Sequence, residues 1–310
     1  MEDYGESSER ISIEKACDAF IEDAKARGLR PPSIYKYDLL FRRLKAFAKQ
    51  EGSQFINELD LESLRRFRAT WNHKNFAARN KTENLRALFR FAHDAKWVSE
   101  NPARQLKSPQ VTPNPTLPFT PEEYTAILKA CDSYDGPNKA MLKAFVILLR
   151  ESGLRIRDGV TLKRSSIANG KLFLRSAKTG VPVRLPLPPE CLDGLAALPT
   201  NGDYYFWSGG TKPKARVGNF QGMLQTVFKA AGVTGGHAHR FRDTFAVELL
   251  LAGVSLEKVA ALLGNSVKIV EKHYAPWVAA RQDQLEEAVK ASWVKRTKSR
   301  TPENRSSKTQ

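Results

Sequence analysis

Apolar residues at helical spacing recur through the first hundred positions. Ile13, Cys17, Phe20 and Ala24 fall on one helix face, with Ser12 as N-cap and Gly28 as terminator. Pro31 and Pro32 are expected to separate this helix from a second, whose stripe of Ile34, Tyr37, Phe41, Leu44 and Phe47 runs to Gly52. Asp60 stands where it can cap a third helix with Leu61, Leu64, Phe67 and Trp71 inward, and Leu85, Leu88, Phe89 and Ala92 mark a fourth. The pattern predicts a small helical domain over residues 10–105. Pro102, Pro109, Pro113, Pro115 and Pro118 then interrupt a stretch with little apolar periodicity, which predicts an extended linker over 106–118.

The second domain, 119–294, begins on a helix start: Thr120 can cap, Pro121 suits the first helical position, and Glu123 can close a capping box. A long apolar helix is expected from about Asn138 to Ser152, ended by Gly153, with a short helix to Leu162 after it. The period then changes. Asn169-Gly170 between Ser166-Ile167 and Leu172-Phe173-Leu174 signals a tight hairpin, and Lys178-Thr179-Gly180 turns the chain into Val183-Arg184-Leu185. The fold class expected is mainly α with a small three-stranded antiparallel β-sheet. Helices resume near Asn219 and continue, broken at Gly232, Gly253 and Gly264, to about Trp293. Residues 295–310 carry six basic side chains against one acid and read as a disordered tail.

Composition narrows the function classes. Hydrophobic residues make up 41% of the 310, enough for two buried cores, yet the longest apolar run, Ala144 to Leu149, is far too short for a membrane span. The polar, acidic start MEDYGESSER is unlike a secretory signal, so the expected location is cytoplasmic. Cys17, Cys131 and Cys191 are odd in number and widely spaced, which suggests buried apolar packing and neither disulfides nor a zinc site. His237, His239 and His273 lack an acidic or cysteine cluster at ligand spacing, so neither metal nor cofactor is expected. Fifty Lys and Arg against 33 Asp and Glu give a formal charge of +17, which calls for a polyanionic partner. Spread along the chain, these charges fit nucleic acid better than a membrane surface. On the helical domain, Lys36, Arg42, Arg43, Arg65, Arg66, Arg68, Lys81, Arg86 and Arg90 lie on outer faces. They are either solvated helix faces or a groove that neutralises phosphates. Candidate DNA contacts are Arg42, Arg43, Arg65, Arg66, Lys81, Arg86 and Arg90.

Cutting and rejoining a phosphodiester without a nucleotide cofactor needs a nucleophile, cations around the phosphoryl oxygens and an acid for the leaving oxygen. Arg155 follows the Ser152-Gly153-Leu154 helix stop. His239 and Arg242 are three apart and share a helix face, and Tyr274 lies 32 residues beyond Arg242. Singly, each has a plain structural explanation.

In order, they resemble the catalytic domain of the tyrosine recombinase (phage integrase) family. The carriers are Ser152-Gly153-Leu154-Arg155-Ile156 with Asp158, Lys178-Thr179-Gly180 in a sheet turn, His239-Arg240-Phe241-Arg242, and Leu263-Gly264-Asn265 nine residues before Tyr274. The match spans roughly 119–280, and the helical domain resembles the family's core-binding domain less distinctively. The resemblance implies that Arg155 and Arg242 hold the nonbridging oxygens of the scissile phosphate, where lysine would lose the bidentate fork. It implies that Lys178 protonates the leaving 5′ oxygen, His239 supports nucleophile and phosphate, Asp158 fixes Arg155, and Tyr274 forms a 3′-phosphotyrosyl link. It further implies a metal- and ATP-independent site-specific recombinase clamping double-stranded DNA and assembling as a tetramer on it. The helix from about Ala279 to Trp293 would dock on a neighbouring protomer.

The sequence departs from the family pattern twice. Asp243 follows Arg242 where His is frequent, and at this level it reads as support for the helix. Asn265 stands where His or Trp is usual; its amide can donate a hydrogen bond but cannot transfer a proton at neutral pH. Either Asn265 donates to a phosphoryl oxygen or it merely terminates a helix after Gly264. Two other functions therefore stay open: a recombinase-derived DNA-binding protein without cleavage, and a topoisomerase-like enzyme that relaxes single duplexes.

Overall fold

The computed structural model describes residues 10–71, 76–110, 117–136, 138–200 and 202–274, with the single residues 277, 286, 289 and 290. The chain divides into two compact units, Met1–Pro113 and Asn114–Gln310.

In the first unit, α1 (Ile13–Ala26), α2 (Pro31–Glu51), α3 (Leu61–Ala69) and α4 (Phe76–Asp94) pack around Phe20, Phe41, Leu44, Leu64, Phe67, Leu85, Leu88 and Phe89. Ser12 and Asp60 cap α1 and α3 by accepting the Lys15 and Ser63 amides. Pro31 and Pro32 do not separate two helices. They form the first turn of α2, where a missing N–H costs nothing because those amides have no intrahelical partner.

In the second unit, α5 (Pro121–Asp132) opens with the Thr120–Glu123 capping box. The apolar α6 (Lys139–Ser152) is buried along most of its length, and α7 (Ile156–Val160) follows. Strands β1 (Ile167–Ala168), β2 (Lys171–Arg175) and β3 (Pro182–Pro186) form one antiparallel sheet in the order β1-β2-β3. Ala168 pairs with Lys171 around Asn169-Gly170, both at positive φ (50° and 71°), the conformation a two-residue hairpin of matching twist requires. Leu172, Val183 and Leu185 turn inward. Next come α8 (Pro189–Ala196), α9 (Pro213–Ala230), α10 (Ala238–Leu251) and α11 (Leu256–Leu263). Residues 267–274 are helical.

Two elements differ from expectation. α8 does not show in the hydrophobic pattern, since only Cys191 and Leu195 are buried on its eight residues. α9 begins at Pro213, six residues ahead of Asn219, because Pro213 suits a first turn and Arg216 is engaged inward, with Nε donating to the Phe206 carbonyl 2.7 Å away and the guanidinium over Phe220. The three cysteines are buried, which pushes each thiol up to about 12. The expected helix 279–293 lies outside the described residues apart from Glu286, Val289 and Lys290, and the basic tail 295–310 lies wholly outside them. No helix among the described residues is long and apolar enough to cross a membrane.

Candidate active site

Two helix C-termini build the centre of the site. α6 ends at Gly153 and α11 at Gly264, both left-handed (φ 58° and 59°), a conformation glycine adopts without the Cβ penalty. Neighbouring atoms also crowd any added side chain. A Cβ on Gly153 would meet Phe245 at 2.7 Å, and one on Gly264 would meet Val183 at 3.0 Å. Such ends leave carbonyls without intrahelical partners and carry the negative pole of the helix dipole. Arg242, 2% exposed, satisfies both: Nη1 donates to the Gly153 carbonyl (2.7 Å) and Nη2 to the Leu263 carbonyl (2.6 Å). Two motifs 111 residues apart in the chain, around Gly153 and Gly264, thus serve one guanidinium. Burial, and then the neighbouring Arg155 charge, lowers the Arg242 pKa to about 10, so it stays cationic at neutral pH.

Arg155 caps α7 and extends into a polar network. Its Nη1 donates to Ser176 Oγ (3.0 Å) and its Nη2 to Asn265 Oδ1. Asp158, 6% exposed, accepts from Ser176 Oγ (3.2 Å) and from the Ala177 amide (2.7 Å). Asp158 therefore supports Arg155 through Ser176, which sequence reasoning did not single out. The same carboxylate anchors the start of the β2–β3 turn, whose far side is tied by Thr179 Oγ1 donating to the Gly264 carbonyl (3.4 Å). Lys178 is exposed on that turn, between these two tethers. Asn265 is more than a helix terminator, since its side-chain oxygen accepts from Arg155; that bond leaves its amide N–H groups for another acceptor.

Tyr274 comes to α10 from the helical segment 267–274. Its side chain is buried (4% exposed), packed with Ala246, Val247, Leu250 and Val270, and its hydroxyl donates to Asp243 Oδ1 at 2.7 Å. Burial chiefly, then the Asp243 charge and hydrogen bond, raises its pKa well above the ordinary phenol value, while Arg242 and Arg155 pull it down. All four groups therefore share one electrostatic environment. His239 Nε2 is 3.8 Å from the same Asp243 oxygen. Partial desolvation lowers the His239 pKa, Asp243 opposes this, and Arg242, His237 and Arg155 add to it. The reading of Asp243 as helix support is corrected: its carboxylate holds the tyrosine hydroxyl. The signal was present in the sequence as the replacement after Arg242. Its partner, 31 residues away, was not.

Arg240, next to His239, has a different task. It is 6% exposed, lies over Phe119, and binds the carbonyls of Leu117, Pro118 and Thr234 and the Glu123 carboxylate, which pins the start of the second unit to α10.

The second unit's sequence matches the model of the phage integrase family over residues 118–278, just over half the chain. The chain belongs to the phage integrase family of tyrosine recombinases. It is similar to tyrosine recombinase XerD of Shewanella oneidensis, with 23% identity over 285 residues, 86% of this chain and 94% of the relative. It is also similar to XerA of Thermococcus kodakarensis, 26% over 250 residues, 77% and 82% of the two chains. Its fold is like that of lambda integrase in a dimer bound to a COC′ core site, with TM-score 0.69 at 18% identity over 84% of this chain and 97% of that one. The Tn1549 transposon integrase in complex with transposon right end DNA is alike at TM-score 0.67 and 18% identity, over 87% and 99%.

The candidate DNA contacts of the first unit are already engaged to different degrees. Arg42 pairs with Asp38 (2.7 Å), Arg65 with Glu62 (3.4 Å) and Arg66 with Glu51 (2.8 Å), exposed pairs worth about 0–1 kcal/mol each. Arg86 instead clasps the Ala103 and Leu106 carbonyls as well as Glu83. Lys81 lies over the Trp71 ring, its pKa lowered by burial and by Arg43 nearby. Arg90 lines a cavity of about 790 Å³ with Arg86, His93 and Arg104. His73 lies outside the described residues.

Proposed function

We propose that this tyrosine recombinase is an active site-specific enzyme that cuts and rejoins duplex DNA through Tyr274. The observation that carries the reading is the buried Tyr274 hydroxyl beside Asp243, within the field of two guanidinium groups held by a network that locks their orientation. The Arg155 charge, after burial, disfavours the charged form of Arg242, a concentration of positive charge that an incoming phosphate relieves. That is the arrangement expected where negative charge grows on phosphoryl oxygens in a pentavalent transition state. Tyr274 attacks phosphorus, the bond to the 5′ oxygen breaks, and Lys178 gives that oxygen its proton. The 3′-phosphotyrosyl link keeps the phosphoester bond, so a 5′ hydroxyl from another strand reverses the step without ATP. Residues 10–105 supply the DNA-binding domain, 106–118 the linker and 119–294 the catalytic domain.

Exchange between two duplexes requires one cut in each of four strands, so the functional unit is a tetramer on DNA. Lambda integrase has been seen as a tetramer bound to a Holliday junction. The test is a duplex nicked near the cut site, built from DNA recovered in covalent complex from cells. Covalent protein and, with two sites present, recombinant product support the reading. Tight binding with no adduct would make the chain a binding protein, and relaxation of plasmids without any site would make it topoisomerase-like.

A further inference from the structure

We propose that Asp243 is a catalytic residue: it takes the proton of the Tyr274 hydroxyl as the phenol oxygen bonds to phosphorus. The inference rests on Tyr274 being the nucleophile. The carboxylate oxygen lies 2.7 Å from the hydroxyl, Asp243 is 6% exposed and Tyr274 4% exposed, so the proton is directed at this acceptor and shielded from bulk water. A phenol held this way is a poor nucleophile until it loses its proton, and its environment favours the neutral form. Bond formation to phosphorus changes that, because the attacking oxygen becomes strongly acidic as it gives up electron density.

The step balances. The O–P bond forms, the P–O5′ bond breaks, the tyrosine proton goes to Asp243 and the Lys178 proton to O5′. On religation Asp243 returns its proton to the departing phenolate, and the attacking 5′ hydroxyl restores Lys178. Among the described residues, the charged and titratable groups around the pair are His239, 3.8 Å from the carboxylate on the same helix, Arg242 on α10, and Arg155 at the start of α7; His237 acts on His239, and Asp158 on Arg242. The arginines do not accept a proton, and His239 makes no hydrogen bond to Tyr274 among those the structure shows. Asp243 is the acceptor in contact.

The experiment measures single-turnover cleavage of a nicked duplex by wild type, Asp243→Asn, Asp243→Glu and Tyr274→Phe, with DNA affinity and melting temperature alongside. Asp243→Asn should cut at least about 10²-fold more slowly, with a rate that climbs about tenfold per pH unit as phenolate forms, while wild type is much flatter across neutral pH. Asp243→Glu should keep the flat profile at a reduced rate. A sulfur in place of the bridging 5′ oxygen should rescue Lys178→Ala and leave the Asp243→Asn defect in place, since that defect lies on the nucleophile. Asp243→Asn cutting as fast as wild type, or with the wild-type pH profile, overturns the proposal. If the Asn variant does not fold, a steep profile in Asp243→Glu overturns it equally. Adducts persisting in Tyr274→Phe would instead overturn the assignment of the nucleophile.

Discussion

Gly153→Ala should damage stability and cutting together, and the structure sets the size of the effect. At φ 58° a residue with a Cβ costs about 1–2 kcal/mol. The added carbon would lie 2.7 Å from Phe245 Cδ1 and 3.0 Å from Leu263 Cδ2, overpacking of the kind that costs about 1–3 kcal/mol. Near the middle of the combined range, about 3 kcal/mol, a unit of this size melts about 6–12 °C lower. Catalysis should fall as well, because the Gly153 carbonyl is an acceptor for Arg242 and the Leu263 side chain pushed aside belongs to the residue that supplies the other. Calorimetry of wild type, Gly153→Ala, Phe245→Ala and the double variant separates the two parts. In the Phe245→Ala background the ring contact is gone, and the further cost of Gly153→Ala should shrink towards the backbone part, about 1–2 kcal/mol. An unchanged melting temperature, or an equal penalty in both backgrounds, would refute the reasoning.

Three other outcomes follow from the same geometry. Asn265→Ala should slow cleavage about 10²- to 10³-fold with DNA affinity nearly unchanged at one fixed salt concentration, and Asn265→His should recover much of it; an Ala variant at the wild-type rate contradicts a role beyond the helix end. Lys178→Ala should be strongly slowed on ordinary DNA and nearly normal on a substrate with bridging sulfur, since a thiolate leaves without protonation; equal slowing of both would move the acid elsewhere. Tyr274 should stay protonated past the ordinary phenol pKa of about 10, so ultraviolet titration should show no loss of phenolate signal near pH 10 in Tyr274→Phe. With the folded pKa raised, Tyr274 contributes its stability in full below that pH and loses it as pH climbs further; a missing phenolate in the variant at pH 10 would contradict the burial.

What was legible in the sequence was what is local. The Thr120–Glu123 capping box, the Asn169-Gly170 hairpin and the glycine helix ends each act within a few residues, so spacing alone reveals them. Pro31 and Pro32 misled because proline both breaks a helix and opens one, and which it does depends on what the preceding chain packs against. The order of Arg155, Lys178, His239, Arg242 and Tyr274 could be read, and the resemblance pointed to Asp158, but the other groups that orient them could not be read. Arg242 is held by carbonyls, which have no residue signature, and one of them lies 89 positions away. Ser176 looks like any strand-end serine until Arg155 and Asp158 meet across it.

The most direct test of the account is to trap the protein on a nicked duplex, digest the covalent complex, and identify by mass spectrometry which side chain carries the nucleotide. The account predicts a 3′-phosphotyrosyl link on the peptide containing Tyr274, and no adduct from Tyr274→Phe although that variant binds DNA as wild type does. An adduct on any other residue, or one that persists in the Phe variant, would contradict it.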